Sequence, residues 1–196
     1  ADSVTINQSF ATGSVNGGGY TGGFVGNTED ATIENAYSRG LVTSDGEYVG
    51  GFVGFMNNNS ITNAYSTGSV QNIPFSGGFT GDFTAGAIVN SFWDTQTSGR
   101  PTSLGDEIGK TTAQMKSLTT FTTELAPSGW NFNTIWDLQA IRNDGYPFFR
   151  WQSFPSLESI PQSSPLSTNY SSPTIPQCTE QSSQPAPNLF EFRSSS

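Results

Sequence analysis

Residues 33–42 read IENAYSRGLV and residues 61–70 read ITNAYSTGSV, and the match between these two stretches decides the fold. Outward from them, 6–15 reads INQSFATGSV and 88–97 reads IVNSFWDTQT, so Ile recurs at 6, 33, 61 and 88 in steps of 27, 28 and 27. An aromatic follows each Ile four places on, at Phe10, Tyr37, Tyr65 and Phe92. Gly13, Gly40 and Gly68, then Val15, Val42 and Val70, complete the first three copies. A second signature closes them: GGFVG at 22–26 and 50–54, and GGFTG at 77–81. A fixed period of this length marks a solenoid, because one such unit cannot bury its own apolar face and must stack on its neighbours.

Within a unit, Ile6, Gln8 and Phe10 alternate with Asn7 and Ser9, the pattern of a strand with one buried face. Further short strands are expected around Val15 and around Phe24 and Val25, three per coil, with glycines supplying positive φ at the corners. Stacked coils pair their strands in parallel, and the Ile residues and the aromatics at 10, 37, 65 and 92 are expected to form inward columns. Each inward aromatic would bury roughly 150–250 Å². Asn35, Asn63 and Asn90 share a phase with Gln8 and suggest a column of stacked amides. The predicted fold is all-β, a parallel β-helix (β-solenoid) of about four coils of 27–28 residues over 1–98.

The period is lost beyond 98. Residues 99–152 are expected to form a capping segment with a short helix over 113–118, started by Thr111 or Thr112 with Gln114 in a capping box. Trp130, Phe132, Trp136, Tyr146, Phe148, Phe149 and Trp151 follow as an aromatic cluster suited to covering an open solenoid end. The alternative is a platform for stacking sugar rings, with Trp130, Trp136 and Trp151 as its ligand-binding candidates. Residues 153–196 hold seven of the eleven prolines and no glycine, which predicts an extended Ser/Pro tail. Its end, NLFEFR at 188–193, alternates apolar and polar residues and is a candidate docking strand. Cys178 is the single cysteine, so no internal disulfide framework exists. Coil 1 starts close to Ala1 without a cap, which suggests further coils or another molecule beneath it; identical copies stacked head to tail would build a filament.

Composition narrows function. The formal charge is −9 with seven Lys and Arg, which disfavours nucleic acid, since phosphate recognition needs clustered positive charge. No apolar run is long enough to insert in a membrane as a helix. The chain has no histidine, which removes His-based triads and His-based metal sites. Glu29, Asp30, Glu34, Asp45, Glu47, Asp82 and Asp94 mostly differ in repeat phase, so paired carboxylates for glycoside hydrolysis are not expected. Outward Asn7, Glu34, Thr62 and Val89 are too irregular for an ice-matching lattice. No catalytic residue, metal ligand or cofactor is assigned.

The I-x-N-[SA]-[FY]-x-x-G-x-V stretches followed by GGFVG resemble the GLUG repeat of large bacterial surface proteins, including filamentous-haemagglutinin-like adhesins. The resemblance covers 4–98 and extends through SFWDTQTSG…GYPFFRW at 91–151. It implies export, surface exposure and no common catalytic activity. The sequence reading is therefore a secreted or cell-surface structural or adhesive protein, either a self-assembling filament subunit or the distal part of an exported adhesin. Copies of itself, another surface protein or glycans are the expected partners. A carbohydrate-binding module is the alternative, and a polysaccharide-active β-helix enzyme stands third.

Overall fold

The structure is a computed structural model and describes residues 4–123 and 129–154. It is a parallel β-solenoid. Coil 1 comprises β1 (Val4–Ala11), β2 (Val15–Gly17), β3 (Thr21–Gly22) and β4 (Val25–Glu29). Coil 2 repeats this with β5 (Ala31–Ser38), β6 (Val42–Ser44), β7 (Val49–Gly50) and β8 (Val53–Asn57). Coil 3 has β9 (Asn59–Ser66), β10 (Ser76–Gly77) and β11 (Thr80–Phe83). A partial fourth coil supplies β12 (Gly86–Val89) and β13 (Phe92–Asp94) before the chain leaves the period. Three complete turns thus replace the expected four, because the last copy lacks the GGFxG segment that closes a coil.

Register follows the repeat: Ile6 pairs with Ile33 and Ile33 with Ile61, Phe10 with Tyr37 and Tyr37 with Tyr65. One residue per long strand is skipped by the ladder. Asn7 pairs with Glu34 and Ser9 with Ala36, leaving Gln8 and Asn35 out. These two residues, with Asn63 and Asn90, have φ of 49°, 51°, 55° and 50°. A left-handed residue inside a strand bends it and reverses the alternation beyond it.

The reversal corrects two expectations. Ile33 and Ala36 both face the interior core, one on each side of the bend, while Tyr37 belongs to a different cluster outside it. The aromatics at 10, 37, 65 and 92 therefore point outward, not inward. Ser38 and Ser66 point in, and each hydroxyl donates to a glycine carbonyl across the coil, Gly51 and Gly78, at 2.6 Å. The interior aromatics are instead Phe24, Phe52 and Phe79, whose rings stack at 4.8 and 4.6 Å, close to the ~4.8 Å rise between strands.

Glycine also acts differently from expectation. Among the described glycines, φ is positive at Gly86, Gly99 and Gly145, whereas most of the coil bends are made by Asn, Asp and Gln. The repeated glycines lie where backbones approach too closely for a side chain: a Cβ on Gly51 would overlap the carbonyl oxygen of Gly78. The amide residues likewise do not form one ladder. Asn35 donates to Asn7 at 3.1 Å and accepts from Trp136 at 3.2 Å, and Asn63 buries an oxygen that has no partner among the described residues.

Residues 98–110 cross the upper end of the solenoid. Val70 N–H donates to Ser98 O and Gly78 N–H to Thr102 O, and β14 (Ile108–Lys110) adds a parallel rung to β13. Two short helices follow, α1 (Thr112–Met115) and α2 (Leu118–Thr122), and α1 carries the expected capping box between Thr111 and Gln114. The Ser/Pro tail, NLFEFR and Cys178 lie outside the described residues.

The bend makes a direct prediction. Asn63→Gly should keep stability within about 1 kcal/mol, since Gly accepts the left-handed bend, whereas Asn63→Val should lose about 1–3 kcal/mol. Urea unfolding midpoints of the two variants check it.

Candidate interaction surface

The repeat generates three aromatic columns, and their surroundings differ. The Phe24–Phe52–Phe79 column fills the interior. The outward Phe10–Tyr37–Tyr65–Phe92 column is covered by residues 129–154, which run along the flank of the solenoid from Trp130 beside Phe92 to Trp151 beside Phe10. The expected cap is therefore a lateral buttress spanning all four levels, and the upper end is crossed instead by 98–110.

All three sequence candidates belong to this buttress, and two of them are buried in it. Trp130 and Trp136 are 4% and 0% exposed, with their ring centroids 4.4 Å apart. The Trp136 indole N–H donates to Asn35, and that of Trp130 to the Asn90 carbonyl at 2.9 Å. Neither offers a face to a ligand, because both were recruited to cover the outward column. Trp151 is 57% exposed and stacks on Phe149 at 5.5 Å, so it stands alone as an open ring.

Polar contacts lock the flank in place. Tyr65 Oη donates to Pro147 O at 2.6 Å, and Tyr146 Oη to buried Asp94 Oδ2 at 2.7 Å. Asp94 also accepts from the Gln96 and Thr97 backbone and from Thr112 Oγ1, which assigns this carboxylate to structure. Arg39 lies over one side of the Tyr146 ring at 4.9 Å and bonds Asp144 at 2.7 Å, while Lys116 lies 4.7 Å from the same ring. Burial, then the bond to Asp94 and its charge, push the Tyr146 hydroxyl up to about 12. Burial raises Tyr65 well above its usual value too.

Among the described residues, none covers the third column, Tyr20–Tyr48–Phe75. These residues stand two places ahead of each Gly-Gly pair, a regularity present in the sequence but less conspicuous than the tryptophans. Strand pairing of Thr21 with Val49 and of Ser76 with Val49 puts them in one phase. Tyr20 and Phe75 are 46% and 45% exposed, and Tyr48 is half-buried. Successive centroids are 5.3 and 5.2 Å apart, and Phe55 joins from the adjacent column at 4.8 Å from Tyr20. The rings tilt by 31–36° to one another, against 5° for Tyr37–Tyr65 and 9° for Phe52–Phe79. The rings of this column are thus less closely parallel than those of the two covered columns.

Tyr48 has φ of 61°, a left-handed conformation uncommon for a bulky residue and of the kind that concentrates at functional surfaces. Asn27 and Asp82 flank Phe55 in register, lining the strip with short polar groups. Desolvation raises the Tyr48 hydroxyl, and the charges of Glu47 and Asp82 add to the shift. The strip is thus aromatic and weakly anionic. A separate open groove of about 560 Å³ is lined by Asp30, Thr32, Asn58 and Ser60 among others. Among the described residues there is no group of three or more His, Cys, Asp or Glu placed to hold a metal.

Comparison with known proteins agrees with the repeat. The family model described as the GLUG motif matches residues 17–43 and 45–71. A protein of Evansella cellulosilytica described as a Gly-rich membrane protein is 31% identical over 147 residues. That match covers 73% of this chain and 13% of the relative's length. No solved structure matches. Among the described residues no helix is long and apolar enough to cross a membrane. The chain carries GLUG motif repeats wound as a β-solenoid.

Two measurements test the flank. Trp136→Ala should cost about 3–5 kcal/mol by urea unfolding, and Trp151→Ala less than about 1 kcal/mol, because one ring is fully packed and the other open. Tyr146 must stay protonated to hold Asp94, so its stabilisation is present below pH 10 and lost as pH rises through about 12. A melting-temperature series in alkaline buffers should show that fall, and Tyr146→Phe should reduce its steepness.

Proposed function

We propose that the chain is a non-catalytic structural and adhesive module of a bacterial surface protein, and that the Tyr20–Tyr48–Phe75 strip is its contact with neutral glycans. GLUG repeats, the β-solenoid and the relative described as a membrane protein support a surface- or membrane-associated repeat protein. The stacked coils supply stiffness, and the flank buttress adds a second core along their length.

The observation that carries the adhesive reading is the open, splayed column beside two covered ones. Four partly exposed aromatics offer about 300 Å², a typical size for a functional patch but well short of the ~800 Å² per partner of a stable protein interface. A narrow ligand fits better. The faces of a pyranose ring carry C–H groups that lie on aromatic rings, and its hydroxyls reach groups such as Asn27 and Asp82. An extended glycan advances by about one coil height per sugar, and the acidic rim disfavours anionic polysaccharides.

Affinity electrophoresis of the full chain in soluble neutral β-glucan and mannan, with acidic alginate as the control, tests the strip. Neutral glycan should retard the chain, and Tyr20→Ala and Phe75→Ala should each weaken binding about tenfold, equivalent to ~1.4 kcal/mol. Trp151→Ala should leave it unchanged. Binding that follows Trp151 alone, or no binding to neutral glycans, refutes the glycan assignment. Labelling of intact cells by antibody against the chain tests surface exposure separately.

A further inference from the structure

Two glycines of coil 1 point to what lies beneath it. A Cβ on Gly40 would overlap the carbonyl oxygen of Gly13, and one on Gly68 would overlap that of Gly40, so each glycine is imposed by the coil below. Gly46 is imposed in the same way by the carbonyl of Gly18. The register of Gly17 with Ser44 makes Gly13 and Gly19 the coil 1 counterparts of Gly40 and Gly46. Among the described residues, a Cβ on either would meet nothing within 4 Å, and neither has a positive φ. Their own coil gives no reason for glycine at these positions.

The rest of that face matches. Among the described residues, all four strands of coil 1 are end strands in their sheets. Ile6, Phe24 and Val25 are half-buried where Ile33, Phe52 and Val53 one coil up are completely buried. Val4 is 58% and Phe10 39% exposed, against 9% and 1% for Ala31 and Tyr37 above them. Backbone edges, apolar columns and glycine sterics are thus all set for the same neighbour.

We propose that the lower face of coil 1 is a docking face for one further coil of the same GLUG type, laid in parallel register beneath β1–β4. That coil places a carbonyl under Gly13 and another under Gly19, an aliphatic side chain under Ile6, and aromatics under Phe10 and Phe24. A second copy of this chain is a poor occupant. Its upper end is crossed by 98–110, which already takes the rungs above Val70, Gly78 and β13, so it lacks the full set of free parallel edges.

The test inserts a duplicate of residues 31–58 between Ser3 and Val4 of the full chain and follows thermal unfolding. The insertion should raise the melting temperature by about 5 °C or more, since repeat stability grows with each coil interface. Gly13→Ala and Gly19→Ala should each shift the natural chain by less than about 1 °C but lower the extended chain by about 5 °C. No rise on insertion, or glycine variants tolerated equally in both chains, overturns the proposal. So does a stable dimer of the natural chain by light scattering that the inserted coil abolishes, because it would assign the face to a second copy.

Discussion

The structure depends on one left-handed residue in each long strand. Gln8, Asn35, Asn63 and Asn90 bend the strand between the Ile and the aromatic that follows it. Without the bend, strict alternation would send Ile33 and Tyr37 to the same side, and the interior would have to hold both beside Phe52. With it, Ile33 and Ala36 close the interior, and Tyr37 is sent to the outside of the coil. Asn suits the position, since its short polar side chain lowers the cost of a conformation that costs most residues about 1–2 kcal/mol.

The outward column of large aromatics is covered along its four levels by the 129–154 flank. Trp136 shows the coupling: its ring packs on Tyr37, Tyr65 and Phe149, while its N–H reaches Asn35, the bending residue itself. The bend thus creates the need for the buttress and also supplies one of its anchors. The same logic isolates the Tyr20 column. It lies on another face, and among the described residues nothing of the buttress reaches it.

The period of 27–28 residues, the parallel stacking, the Ile column and the α1 capping box were all legible in the sequence, because each rests on spacing or local chemistry. The inward or outward sense of Tyr37 was not, since nothing in N-A-Y announces that Asn35 leaves the ladder. Glycine was misjudged for a related reason. Gly40 looks like a turn residue in one dimension, and its true constraint is a carbonyl 27 residues away in sequence, at Gly13. Trp130 and Trp136 stood out by composition, yet large rings beside an uncovered aromatic column end up buried. The Tyr20, Tyr48 and Phe75 series was visible ahead of each Gly-Gly pair, but its exposure depends on what the flank leaves uncovered.

Aromatic nuclear Overhauser contacts in the intact chain test the bend most directly. Cross-peaks joining the Trp136 indole to the Tyr37 and Tyr65 rings, with Phe52 instead meeting the Ile33 and Ile61 side chains, are the predicted result. Contacts of Tyr37 and Tyr65 with Phe52 and Phe79 would place the aromatics inside the coil and contradict the account.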